Sequence, residues 1–401
     1  MKTNLIKLGG VLSVLFLVVA IIFLSFPNQE SLIFDSDNKA TYGKDLIQFA
    51  IIGDTPYDTL GSTALLEKFQ VHIDDNNQRS YADFLIHVGD IKKGSTPCDL
   101  SYYTNTLRVL ESSTKKPYLL IGDNEWNDCK NGPDPATGLT YWKDTFTNLN
   151  QQFINDFDAS TQEGRPENIS FVRNSVLFIT INQVDGRIHD STEWRQRMAD
   201  NLVWIRESMT KYKGLVNAYV IFAHAAPGVK REKSVIGDSL FYLPFRDLIQ
   251  NFTEPILYIN GNKHVWKYDT AYFGEQNPGN FLRVVIDEDK LTESVLQVVV
   301  STDANQPFYF DRNMILDSLT VVPSLKNLDD STVSISWQTN NPTAGVVRYG
   351  KKNDPLKYRK EDPINKTRHE VTITNLDKVS NYQFEVGTRT SKLSERLTVQ
   401  D

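Results

Sequence analysis

Apolar positions along this chain gather into short uninterrupted runs that stop abruptly at small and acidic residues. Ile47–Ile52, Asp83–Val88 and Pro117–Ile121 each read as a strand. A continuous apolar run of that length suits a strand covered on both faces. Between them, Ser62–Asp74 sets Leu65, Leu66, Phe69 and Ile73 on one helical face, and Tyr102–Leu110 has helical spacing. The β-α-β-α-β order predicts a parallel sheet with right-handed crossovers.

The alternation continues. Tyr141–Phe157, Glu193–Tyr212 and Leu240–Asn251 read as helices, and Val176–Asn182, Ala218–Ala223 and Pro255–Ile259 as strands. Asn131–Gly138 is a Gly/Pro-rich loop, and Phe281–Ile286 and Ser294–Val300 are expected to pair as a hairpin. From Ser318 onward no helical spacing remains, and short alternating strands separated by turn residues predict a β-sandwich. Trp337 would fill its core, and Tyr382 sits where a tyrosine corner forms.

The amino terminus changes the picture. Lys2 and Lys7 precede an uncharged run, Leu8–Phe26, long enough to span a bilayer. It lacks an A-x-A cleavage pattern, which favours an uncleaved anchor over a cleaved signal peptide and places the remainder outside the cytosol. The expected organisation is residues 1–27 as anchor or signal, 28–45 a polar stalk, 46–302 an α/β domain, 303–317 a linker and 318–401 the β-sandwich.

A net charge of -7 over 401 residues argues against nucleic acid as the main partner. The two cysteines, Cys98 and Cys129, each follow an acidic loop by a few residues. A disulfide between them suits an oxidising compartment, and two free thiols are the alternative. Glycosylation sequons occur at Asn168, Asn251 and Asn365.

Candidate chemistry lies where the apolar runs end: Gly53-Asp54, Gly89-Asp90, Gly122-Asp123-Asn124-Glu125, Ala223-His224 and Gly261-Asn262-Lys263-His264. Ligands gather at the carboxyl edge of open α/β sheets, so carboxylates and imidazoles delivered there suggest a metal site. Taken singly, an Asp after a strand is as often a helix cap.

The order of these motifs resembles the calcineurin-like metallophosphoesterase superfamily, over about Leu46–Thr302. GDIKKGSTPC and GDNEWNDC resemble a branch that carries GDNEW in place of GNHE. The segment SISWQTNNPTAGVVRYG is similar to the fibronectin type III-like domain of purple acid phosphatases, which there precedes the catalytic domain. The resemblance implies an αββα sandwich and one or two ions of Mn, Fe, Zn or Mg, bridged by Asp90. Asp54 and His264 would complete the first metal, and Asp123 and His224 the second. By the same resemblance, the metals would activate water for in-line attack on a small phosphorylated substrate.

Several positions depart from the family pattern. Pro56 replaces a ligand His, and Tyr57 is the nearest substitute donor. Asn262 replaces another His and would bind through its amide oxygen. Asp123 replaces a neutral Asn. Asn124 stands where the leaving-group His would be, and losing a general acid costs about 10²–10⁴ in rate. Glu125 and His189 are candidate replacements. His87 reads as a core residue, His72 and His369 as surface residues, and Trp126 as packing over the pocket. The reading is a metal-dependent phosphoesterase outside the cytosol. The alternative is a decayed, membrane-anchored binding or adhesion module. The β-sandwich would offer a protein-recognition surface or shield the pocket.

Overall fold

The structure is a computed structural model describing residues 45–58, 62–130, 134–228 and 238–399. The apolar run Leu8–Phe26 lies outside the described residues, and among those no helix is long and apolar enough to cross a membrane.

The chain first builds β1 (Asp45–Ile52), α1 (Ala64–Arg79), β2 (Phe84–His87), α2 (Leu100–Glu111), β3 (Lys116–Leu119) and α3 (Pro135–Phe157). It continues through β4 (Ser160–Gln162), β5 (Arg165–Arg173), β6 (Val176–Thr180), α4 (Ser191–Lys211), β7 (Ala218–Ala223), α5 (Leu243–Ile249), β8 (Ile256–Asn260), β9 (Lys267–Asp269), β10 (Phe281–Val285), β11 (Leu296–Ser301) and β12 (Phe308–Asp311). One sheet has the order β12-β11-β1-β2-β3 and a second β4-β5-β6-β7-β8-β10-β9.

Phe49, Phe84, Ile86 and Val298 of the first sheet pack against Phe171, Phe178, Phe222 and Ile259 of the second. The opposite face of the first sheet buries Phe69, Tyr103 and Phe146 from α1, α2 and α3. The opposite face of the second buries Trp194, Ile205 and Phe245 from α4 and α5. The result is a four-layer α/β/β/α arrangement in which both faces of the central strands are apolar, as their uninterrupted runs require.

β1, β2 and β3 run parallel, as do β6, β7, β8 and β10. All therefore end at one pole of the molecule. The expected hairpin does not form. β10 pairs with β8 and β9, whereas β11 pairs with β1 and β12 in the other sheet. The connecting segment holds a short turn, Asp289–Leu291, that reaches the functional pole. Three short strands (β4, β9 and β12) carry too little alternation to read in advance, and the nine-residue β5, which opens on Arg165-Pro166-Glu167-Asn168, was not read either. Residues 135–138, expected as loop, open α3, because Pro135 tolerates a first helical turn and Asp134 caps it by accepting from Thr137 N at 2.9 Å.

The carboxy-terminal domain is all-β: β13 (Leu319–Asp329), β14 (Thr332–Lys351), β15 (Tyr358–Ile373), β16 (Tyr382–Gly387) and β17 (Leu397–Thr398). Trp337, Val347, Tyr382 and Phe384 share its core. It docks on the pole where the strands begin. Asp45 accepts from Arg359 at 2.8 Å and from Arg389, Arg348 lies over the Tyr81 ring, and Tyr81 donates to Glu385. β1 spans about 23 Å from that pole to the other at 3.3 Å per residue, so these docking contacts lie about that far from the strand ends.

Candidate metal centre

At the far pole the strand ends converge. Gly89 has φ 92°, and a Cβ there would lie 2.5 Å from Gly122 N; one on Gly122 would lie 2.2 Å from Asp90 N. Only glycine lets these two loops stack, which brings Asp90 beside Asp123. Asp54 N donates to Gly89 O at 3.0 Å and ties in the first loop. Five residues of the cluster are non-glycine residues in the left-handed region: Asp54 (52°), Tyr57 (44°), Asp90 (63°), Asn262 (66°) and His264 (65°). Strain of that kind gathers where side chains must be aimed.

The side chains meet as follows. Asp54, Asp90 and His224 are buried and offer ligand atoms within 4.8 Å of one another. His224 Nε2 lies 3.2 Å from Asp90 Oδ1 and 3.0 Å from Asp123 Oδ1. His264 Nε2 lies 3.3 Å from Asp54 Oδ1 and the same distance from the Tyr57 hydroxyl. Tyr57 donates to Asp90 Oδ2 at 2.7 Å and stands 3.1 Å from Asp54 Oδ1. Asn262 N donates to both Asp54 oxygens, at 3.1 and 3.0 Å. Asn124 N donates to Asp90 Oδ1 at 3.0 Å and its Nδ2 to Asp90 Oδ2 at 2.6 Å. All eight residues read from sequence as site members thus share one cluster.

The donor set fits a cation. His224 Nδ1 bonds the Val88 carbonyl at 2.9 Å; a carbonyl only accepts, so Nδ1 carries the proton and Nε2 faces the carboxylates. The Nε2 contacts lack hydrogen-bond direction, and both it and Asp123 Oδ1 are buried without a hydrogen-bond partner. Two unpartnered lone-pair atoms aimed at one point are what a metal ion would satisfy.

Titration follows the same field. Burial opposes the charged His224, but Asp90 and Asp123 outweigh it and hold the imidazole well above its ordinary value. Burial and then the Asp90 charge push Asp123 up to about 6. Burial also favours the protonated form of Asp90, yet His224 and the Asn124 N–H bring it below the ordinary range. Burial, then the charges of Asp90 and Asp54, raise the Tyr57 phenol well above 10. The hydrogen bond to Asp54 raises His264.

Other residues are placed differently from their reading. Glu125 lies beneath the loops, where its Oε1 accepts from Gly122 N at 2.5 Å and Asp90 N at 3.2 Å. His189 is bound through Nε2 to Asn127 O at 2.6 Å. Neither faces the cluster as a replacement acid. Trp126 packs into the core behind its loop, with the Arg197 guanidinium 5.3 Å from its ring. His72 and His369 are buried: the first pairs with Asp289 at 2.5 Å and the second stacks on Trp337. Asn168 is fully buried, and its amide donates to Gln162 and Asn201, which leaves no room for a glycan. Asn251 and Asn365 are exposed.

Supporting residues escaped the sequence reading. His87, core as expected, also holds two loops: Nε2 donates to Thr55 O at 3.3 Å and Nδ1 accepts from Gly89 N at 3.1 Å. Burial lowers its pKa to about 4, keeping it neutral. Thr55 donates to Asp289 Oδ2 at 2.9 Å, which links His72 to the first loop. His87, three residues before Asp90 in an otherwise apolar strand, was the one legible signal. Cys98 and Cys129 form a disulfide that joins the Asp90 loop to the Asp123 loop.

Residues 319–400 match the purple acid phosphatase N-terminal domain. The match is confined to the carboxy-terminal domain. A search of curated proteins finds no match. Among solved structures, a computationally redesigned β-sandwich protein aligns at 23% identity and TM-score 0.16, covering 19% of this chain and 83% of that one. The chicken CNTN1 FN1-FN3 domains align at 18% identity and TM-score 0.21, covering 33% of this chain and 51% of theirs. The β-glucosidase 3B from Thermotoga neapolitana in complex with glucose aligns at 9% identity and TM-score 0.19, covering 90% of this chain and 75% of that enzyme. Superpositions this loose have no bearing on the chemistry.

Proposed function

We propose that the chain is a metal-dependent phosphoesterase with a metallophosphoesterase-type core. The observation that carries the reading is the convergence of Asp54, Asp90, Asp123, His224 and His264, with His224 Nε2 and Asp123 Oδ1 orphaned. Asp54, Asp90, His264 and Tyr57 would hold one ion, and Asp90, Asp123 and His224 a second. Asn262 would assist through its amide oxygen. Oxygen and imidazole donors suit Mn, Fe, Zn or Mg. Ions bound there supply Lewis acidity and make water a competent nucleophile at neutral pH.

The protein's own groups shape the rest. Val88 O fixes the His224 tautomer, and Tyr57 and Asn124 hold Asp90 in place. Asn124 carries no transferable proton. The site therefore favours leaving groups that depart as stable anions, such as aryl phosphates and phosphoanhydrides. The disulfide supports a compartment outside the cytosol.

A second reading, a binding module on a decayed fold, is favoured by one contact: Asn124 Nδ2 already occupies Asp90 Oδ2. Elemental analysis combined with a phosphate-ester panel separates the two. Bound metal with turnover that disappears in Asp90→Ala supports the enzyme. Metal-free protein with no turnover supports the binding module.

A further inference from the structure

We propose that the cavity beside the metal cluster holds a second phosphate and a flat ring, which makes the preferred substrate a phosphoanhydride such as a nucleoside diphosphate. This inference rests on the phosphoesterase reading and specifies its substrate. The cavity encloses about 340 Å³, within the range of small-molecule sites. Asn262 joins it to the cluster: the residue lines the cavity, while its backbone N–H holds both Asp54 oxygens.

Its walls are cationic and aromatic. Lys263 and Lys267 have half-exposed side chains, 48% and 59%, and each has a single carboxylate contact, to Asp185 at 3.3 Å and Asp269 at 2.7 Å. Arg283 is buried on the floor, where its guanidinium lies 4.6 Å from the Tyr272 ring centroid and Nε donates to Asn260 Oδ1 at 3.0 Å. Trp266 supplies a further aromatic wall. Lys263, Lys267 and Arg283 stand against two carboxylates: Asp185, whose Oδ1 is buried and unpartnered, and Asp269, which lies 2.7 Å from Lys267 and 3.8 Å from Arg283, so one positive charge is left in excess. An anion beside the two lysines complements that excess; one face of each ring carries a guanidinium, Arg312 on Trp266 and Arg283 on Tyr272, and the aromatic surface left to the cavity complements a planar base.

The chemistry agrees with the missing acid. Water oxygen bonds to the terminal phosphorus and the bridging P–O bond breaks. The electron pair stays on the departing phosphate, and the proton released from water passes to solvent. Lys263 and Lys267 would hold the charge that develops on that phosphate electrostatically, so no side chain need donate a proton to it.

The test uses the purified protein, wild type and the double variant Lys263→Ala/Lys267→Ala, with ADP, AMP and p-nitrophenyl phosphate. The charge-keeping variant Lys263→Arg/Lys267→Arg and thermal melts control for folding. The expected result is a wild-type kcat/KM for ADP at least tenfold above that for AMP. The double alanine change should lower the ADP value at least tenfold more than the p-nitrophenyl phosphate value, and the arginine pair should recover most of it. ADP binding in EDTA should weaken at least tenfold in the alanine variant. Hydrolysis of p-nitrophenyl phosphate with no ADP preference, or equal losses on both substrates, overturns the inference and leaves the phosphoesterase reading intact. Lysine-dependent ADP binding with no hydrolysis under any metal keeps the cavity assignment and overturns the phosphoesterase reading. Absence of both binding and hydrolysis of ADP overturns the inference.

Discussion

Replacing Glu125 with Gln should stabilise the metal-free protein at neutral pH. The carboxyl is fully buried, with one oxygen accepting from Gly122 N and Asp90 N and the other unpartnered. Burial, then the Asp90 charge, push it from 4.5 to about 8. Folding therefore captures a proton. A group raised in this way contributes stability that is fully present below about pH 4.5 and is lost progressively up to about pH 8. At about 1.4 kcal/mol per pH unit the loss approaches roughly 5 kcal/mol, a ceiling that partial relaxation of the site lowers. Gln keeps the acceptor for Gly122 N and carries no charge, so the variant lacks this dependence.

The assay is urea unfolding in EDTA at pH 5, 6, 7 and 8. The variant should gain on wild type by about 1 kcal/mol per pH unit and level off above pH 8. Asp123 and His224 titrate in both proteins and largely cancel in the difference. A gap that stays constant from pH 5 to 8, or a variant less stable than wild type at pH 8, would refute the reasoning.

Further outcomes are expected elsewhere. Changing Cys98 and Cys129 together to Ser opens a loop with a sequence separation of 31. Loop-closure entropy puts the loss near 4 kcal/mol by urea unfolding, and a loss below about 1 kcal/mol would show that the packed loops hold themselves. Gly122→Ala drives a Cβ against the Asp90 backbone. It should abolish high-affinity metal binding by calorimetry, and unchanged affinity would mean that the loop stack does not aim Asp90. Asp45→Ala strands Arg359 and Arg389 at the domain junction. It should cost about 3 kcal/mol and raise proteolysis at residues 312–318 while leaving metal affinity unaltered; a drop in affinity would contradict the placement of the two poles.

How much of this was legible beforehand follows from where each signal resides. The central strands are buried on both faces, so their apolar runs and the acidic residues ending them stand out. Asp54, Asp90 and Asp123 were therefore visible, and they lie together. The pairing of β10 and β11 was not, because proximity in sequence favours a hairpin and nothing local shows that the chain crosses between sheets. His72 was misjudged because its partner, Asp289, lies 217 residues away. Glu125 reads as catalytic in a string of polar residues, yet the stacked glycines turn it beneath the loop. Asn168 fits a sequon perfectly well, and only the buried bonds to Gln162 and Asn201 rule it out.

The central claim is that loops distant in sequence form one cation site, and the most direct measurement is metal stoichiometry by elemental analysis after equilibrium dialysis against Mn, Fe, Zn and Mg. One or two equivalents in wild type, falling to background in Asp90→Ala and His224→Ala with folding retained, is the expected result. Wild type without bound metal, or variants that bind as wild type does, would contradict it.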